Sequence, residues 1–235
     1  MSKQELYTNN KKIKLRIYNS FKNNKKPIIF LPGYNMKPAD YKKFLKKLNK
    51  KVYAIDYLSS KPRVTSLEDY VGLVRDIVKK LNLKNYHLIG HSLGGGISFL
   101  VSDNLQNKIP PEKAVAINPL SEIDYSPKEF PRRFLKIAKH KFFRRLGLYI
   151  IFTIRYLFYL ISLRKLYRDI KGFKIPENVK TPFLILLAEK DEFFNEKHIP
   201  KKKFVKMKLI KTTGRHFNLV SFPEETAKKV SDFLN

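Results

Sequence analysis

Short apolar runs rich in Val, Ile, Leu, Phe and Tyr recur along this chain, and most gaps between them hold a segment whose apolar residues fall at helical spacing. That alternation constrains the fold more than any other feature. Runs too apolar for a sheet with one face in water, separated by amphipathic helices, specify a mostly parallel sheet covered by helices on both faces, an α/β architecture. The predicted strands are residues 13–18, 27–31, 51–55, 86–90, 113–117, 182–188 and 203–210. Helices are predicted over 38–48, from Ser66 as N-cap to about Leu81, after Ser92, and after Pro223 to the end of the chain.

The pattern breaks between Leu120 and Pro176. No strand is legible there, and the stretch is dense in Lys and Arg with few acidic residues, Glu129 and Asp169 among them. The reading is a sheet-bearing core made of residues 1–119 and 177–235, with 120–176 inserted between two strands as a helical cap. At 235 residues no second independent domain is needed.

The chain has no cysteine, which excludes disulfides, thiolate catalysis and cysteine-bound zinc. Its formal net charge of +29 gives a positive surface potential that attracts anionic lipid, nucleic acid or anionic substrates. Abundant Lys, Asn, Ile, Phe and Tyr without Trp or Cys is also what AT-rich coding produces, so charge alone assigns no partner. The first ten residues lack the apolar stretch of a signal peptide, and the expectation is a cytoplasmic protein.

The chemistry concentrates at Gly90-His91-Ser92-Leu93-Gly94, placed after an apolar run and before a helix-compatible segment. A serine on a tight strand-to-helix turn is held in strained backbone geometry, flanking glycines remove the side chains that would clash, and the hydroxyl is presented at the end of the sheet. The helix N-terminus behind it favours nearby negative charge. These residues resemble the nucleophile turn of the α/β-hydrolase family, and the resemblance covers nearly the whole chain apart from the cap. It implies the α/β-hydrolase fold and a serine hydrolase with Ser92 as nucleophile. Phe30-Leu31-Pro32-Gly33-Tyr34 resembles the family's loop after its third strand, with Pro32 where His is usual. The resemblance implies an oxyanion hole made by the backbone N–H groups of Tyr34 and Leu93.

A neutral hydroxyl needs a base. His216, in Gly214-Arg215-His216 after the last predicted strand, resembles the family's histidine loop. His87 reads as a strand residue, His91 as support for the nucleophile turn, His140 as a solvated position and His198 as a loop residue. A carboxylate must orient the imidazole. Asp191, in Ala188-Glu189-Lys190-Asp191, resembles the family's acid loop, and the order Ser92, Asp191, His216 matches the family's; Glu189 and Glu192 beside it read as solvated. Asp124 is the rival acid, and Asp56 reads as a structural turn residue.

Within the cap, residues 131–145 form a basic amphipathic pattern, and 146–163 is apolar apart from Gly147, Thr153, Arg155 and Ser162. A single membrane crossing is incompatible with flanking strands that join one sheet, and Arg155 would cost about 2.5–3.5 kcal/mol at a bilayer centre. The segment therefore reads as a helix walling an acyl pocket, as an interfacial element beside lipid headgroups, or as both. The implied activity is cleavage of a carboxylic ester or thioester of a hydrophobic acyl group through an acyl-enzyme, with no cofactor or metal. Anionic membrane is a peripheral partner on this reading, and nucleic acid is not expected. C–C bond hydrolysis, acyl transfer to another acceptor, and a non-catalytic module binding anionic membrane or nucleic acid are the alternatives.

Overall fold

The computed structural model describes residues 2–7, 11–19, 26–121, 170–194 and 196–235. The strands are β1 (Ser2–Tyr7), β2 (Lys12–Tyr18), β3 (Ile28–Leu31), β4 (Val52–Lys61), β5 (His87–His91), β6 (Lys113–Ile117), β7 (Phe183–Ala188) and β8 (Met207–Thr212). The helices are α1 (Lys42–Lys47), α2 (Leu67–Lys80), α3 (Leu93–Leu105), α4 (Asn218–Ser221) and α5 (Pro223–Leu234). The division into core and cap is not decided by these elements. Most of the expected cap, including the basic and apolar patterns of 131–163, Asp124 and His140, lies outside the described residues.

One eight-stranded sheet carries the fold, in the order β1-β2-β4-β3-β5-β6-β7-β8. β1, β2 and β4 pair antiparallel, and from β4 through β3 to β8 every pair is parallel. This is the mostly parallel α/β sheet that the alternation specified, in keeping with the α/β-hydrolase fold that the resemblance implied. β3, β5 and β7 are buried along their whole length, as strands covered on both faces must be. Side chains alternate between two cores. Ile29, Leu31, Leu88, Ala114 and Ile185 meet α2 and α3 on one face. Ile28, Phe30, Ile89, Val115 and Leu184 meet α1 and α5 on the other. Each fully buried Leu, Ile, Val or Phe contributes about 1.5–3 kcal/mol, so the two faces hold the sheet from both sides.

Ser66 caps α2 as expected, its Oγ accepting the Asp69 N–H at 3.1 Å. The residues Leu67, Tyr70, Val74 and Ile77 then recur at three- and four-residue spacing and are buried. Two strands differ in extent from the sequence reading by several residues, and one strand was not predicted. β4 runs on to Lys61 because its outer half pairs with β2 as far as Lys12. β8 begins only at Met207, since Lys201–Lys203 close a 3₁₀ turn after Pro200. β1 was not expected at all: its sequence is polar, and it is held by pairing to β2 at the sheet edge rather than by burial.

The chain leaves β3 for β4 on one side and returns to β5 on the other. Ligand sites of open α/β sheets lie beyond the carboxyl ends of strands at such a reversal, and the residues following β3 and β5 are Pro32 to Tyr34 and Ser92.

Candidate active site

Ser92 stands between β5 and α3 with φ 53° and ψ −118°. This conformation is strained for a residue with a Cβ, and three backbone bonds hold it. Ser92 N–H donates to the Ile117 carbonyl at 2.9 Å, while its own carbonyl accepts from Leu120 N–H at 2.8 Å and Gly96 N–H at 3.1 Å. The glycines are required sterically. A Cβ on Gly90 would run into the Gly94 carbonyl, and one on Gly94 into the Leu31 carbonyl. Leu93 opens α3, so its N–H is a first-turn donor with no partner inside the helix.

His216 follows β8 and is buried. Its Nε2 lies 2.9 Å from Ser92 Oγ and its Nδ1 lies 2.9 Å from Asp191 Oδ2. The Asp191 side chain is fully buried, and its other oxygen accepts the N–H groups of Phe193 at 2.7 Å and Phe194 at 2.9 Å. Those bonds aim Oδ2 at the imidazole. The rings of Phe193, Phe194 and Phe217 pack around His216 at centroid distances of 4.8, 5.6 and 5.1 Å. The His91 ring joins them at 5.1 Å, and with phenylalanines on the other sides a charge formed on the imidazole is stabilised mainly by Asp191.

The three side chains read from the sequence thus meet in one line, hydroxyl to imidazole to carboxylate. The loop after β3 also arrives beside them: a Cβ added to Gly33 would lie 3.3 Å from Ser92 Cβ, which puts the following Tyr34 next to the nucleophile turn. Gly33 N–H itself is taken by the Tyr41 hydroxyl at 3.0 Å. Such an arrangement can transfer a proton from a serine to an imidazole while the hydroxyl attacks a carbonyl. Among the described residues no group of three or more His, Asp or Glu side chains is gathered to hold a metal ion. No described helix is long and apolar enough to cross a membrane.

Other positions sort as follows. His87 is a buried residue at the start of β5, and Glu189 is exposed, both as read. Glu192 is not solvated: its side chain is 9% exposed, because Arg215 Nη1 donates to it at 2.8 Å across the acid and histidine loops. Asp56 lies inside β4 rather than in a turn, and burial raises its pKa.

Sequence reasoning missed Asn118 and Tyr41. Asn118 directly follows β6 with φ 44° and is fully buried. It accepts the Ala188 N–H at 2.7 Å and donates to the His216 carbonyl at 2.6 Å. An Asn-Pro step after an apolar run was the available signal, since Asn tolerates the left-handed region. Tyr41 reads as one more apolar residue on a helix face, and no signal set its hydroxyl apart.

A profile of the Alpha/beta hydrolase family matches residues 28–228. The chain belongs to the alpha/beta hydrolase family. As an alpha/beta hydrolase it is an enzyme of hydrolase type. A sequence search of curated proteins found no match. Among solved structures, a membrane phospholipase A described as a bacterial virulence factor superposes with a TM-score of 0.79 at 16% identity, covering 99% of this chain and 85% of the other. A serine hydrolase from the polyaromatic-hydrocarbon-degrading bacterium Cycloclasticus zankles gives 0.76 at 16% identity over 99% and 97%. A marine microorganism esterase gives 0.71 at 21% identity over 94% and 98%. At these identities the likeness concerns the alpha/beta hydrolase fold.

Proposed function

We propose that this alpha/beta hydrolase is a serine hydrolase that cleaves a carboxylic ester or thioester of a hydrophobic acyl group through an acyl-enzyme on Ser92. The observation that carries the reading is the Ser92–His216–Asp191 line, with both contacts at 2.9 Å. His216 Nε2 takes the Ser92 proton as Oγ attacks the carbonyl carbon, and Asp191 holds the proton on Nδ1 and stabilises the imidazolium. The N–H groups of Tyr34 and Leu93 receive the oxyanion. The intermediate collapses, His216 gives the proton to the departing alcohol or thiol, and water repeats the sequence to release the acid.

A hydrophobic acyl group is favoured by the apolar stretch 146–163 in the sequence and by the aromatic surround of His216. Structural neighbours described as a phospholipase A, an esterase and a thioesterase are in keeping with acyl chemistry. The test is hydrolysis of p-nitrophenyl esters from two to sixteen carbons. A kcat/KM rising with chain length supports the reading; selectivity for the shortest ester, or turnover of none, contradicts it.

The basic pattern 131–145 supports a peripheral contact with anionic membrane as part of the same proposal. Vesicle binding should then rise with anionic lipid and weaken with salt, since each Lys or Arg near the surface contributes about 1 kcal/mol. Binding indifferent to lipid charge contradicts it.

A further inference from the structure

The position before the nucleophile, His91, is fully buried, yet both ring nitrogens are engaged. Nε2 lies 3.0 Å from the backbone carbonyl of His216 and Nδ1 lies 2.9 Å from the Tyr41 hydroxyl. The proton arrangement follows from chemistry alone. A carbonyl only accepts, so Nε2 carries the proton. In a neutral ring Nδ1 is then a lone pair, and Tyr41 spends its one proton there. The Tyr41 oxygen accepts Gly33 N–H at 3.0 Å. Burial, with the neighbouring His216 second, lowers the His91 pKa to about 3, and burial raises that of Tyr41, so the ring and the phenol stay neutral. A single directed chain therefore runs from Gly33 N–H through Tyr41 and His91 to the His216 carbonyl.

Both ends of this chain are parts of the candidate site. At one end the His216 carbonyl accepts His91 Nε2–H and Asn118 Nδ2–H together, which occupies both its lone pairs. At the other end the Gly33 carbonyl accepts Met36 N–H at 3.1 Å. The trans peptide between Gly33 and Tyr34 sets its N–H opposite that carbonyl, so fixing Gly33 fixes where the Tyr34 N–H points. Phe and Leu would fill the space of Tyr41 and His91 without burying polar atoms. What the polar pair adds is orientation: a fully satisfied buried network has one low-energy arrangement.

We propose that Tyr41 and His91 are positioning residues that lock the histidine loop and the loop after β3 into one register about Ser92. The proposal rests on the reading of Ser92 and His216 as the reacting pair. The His91 ring packs against that of His216 at a centroid distance of 5.1 Å, but neither residue hydrogen-bonds a side chain of the line from Ser92 to Asp191, so they act through placement, where an error near 1 Å costs up to about 100-fold in rate.

The test combines kinetics on a p-nitrophenyl ester with nitrogen NMR of histidine-labelled protein. Tyr41→Phe keeps the ring and removes the hydroxyl. It should lower kcat by about tenfold or more with KM within about twofold, at a temperature where circular dichroism shows it folded. His91 should be a single Nε2–H tautomer in the native protein and, because the His216 carbonyl still accepts from Nε2, in Tyr41→Phe as well, with the Nδ1 resonance moved in the variant to that of a lone pair without a donor. His91→Leu should lose rate in the same way, and His91→Gln, whose amide N–H reaches the Nε2 position, should recover most of it. Folded Tyr41→Phe and His91→Leu variants with native kcat overturn the proposal, as does a native His91 protonated on Nδ1. A native protein inert toward every ester overturns instead the reading of Ser92, and the tautomer spectra still decide the positioning chain.

Discussion

Asp191 divides its two oxygens between two tasks: Oδ1 takes the backbone N–H groups of Phe193 and Phe194, and Oδ2 faces His216 Nδ1 at 2.9 Å. The division makes Asp191→Asn a test of tautomer control. The backbone donors will claim the amide oxygen, which leaves the amide NH₂ facing Nδ1. Nδ1 must then be the lone pair, and the proton moves to Nε2, where it meets Ser92 as a donor instead of a base. The fold should be retained and kcat on an ester should fall by about 10³- to 10⁴-fold. Native-like turnover in Asp191→Asn would move the acid assignment elsewhere.

Two glycines separate steric need from helix propensity. Gly94→Ala places a Cβ against the Leu31 carbonyl, a backbone atom that cannot swing aside, and should cost about 3 kcal/mol or more. Gly72 lies within α2, where a Cβ meets nothing nearer than Arg75 Nη2 at 3.8 Å. Gly72→Ala should therefore stabilise by about 0.5–1 kcal/mol. Urea unfolding reads both; equal effects from the two would contradict the packing described.

Two buried histidines make stability sensitive to acid. His87 is 1% exposed with neither ring nitrogen hydrogen-bonded, and burial, followed by the Lys50 charge, lowers its pKa to about 4 against an opposing Glu112. His91 is lowered to about 3. The unfolded chain takes up both protons near pH 6.5, and the folded chain does so only at these lower values. Between them the unfolded state holds more protons, so stability is full above pH 6.5 and falls as pH drops. Two protons set a limiting slope of about 2.7 kcal/mol per pH unit from this pair. His87→Leu should remove about half of it, measured as a smaller fall in Tm between pH 7 and pH 4.5. Superimposable curves for the variant and the native protein would contradict the account.

What was legible in the sequence follows from how local each constraint is. The turn at Ser92 needs glycines at fixed offsets between an apolar run and a helix, and all of that lies within a few residues. β6 and β7 announced themselves because strands buried on both faces must be apolar throughout. β1 did not, because a polar edge strand is specified by its partner's backbone and leaves no periodic apolar trace. Tyr41 and Asn118 were illegible for a different reason. The Tyr41 hydroxyl is defined by a contact 50 residues away and the Asn118 amide by one 98 residues away, and side-chain type alone does not encode such partners. Glu192 was misread because charged loop residues are usually solvated, and Arg215, which covers it, lies 23 residues downstream.

The central claim, that Ser92 is a nucleophile activated by His216, is tested most directly by covalent labelling. A fluorophosphonate needs an activated serine and oxyanion donors but no knowledge of the acyl chain. Treated protein should carry one adduct, located by peptide mass spectrometry on Ser92, absent in Ser92→Ala and formed orders of magnitude more slowly in His216→Ala. An unlabelled native protein, an adduct on another residue, or undiminished labelling in His216→Ala would contradict it.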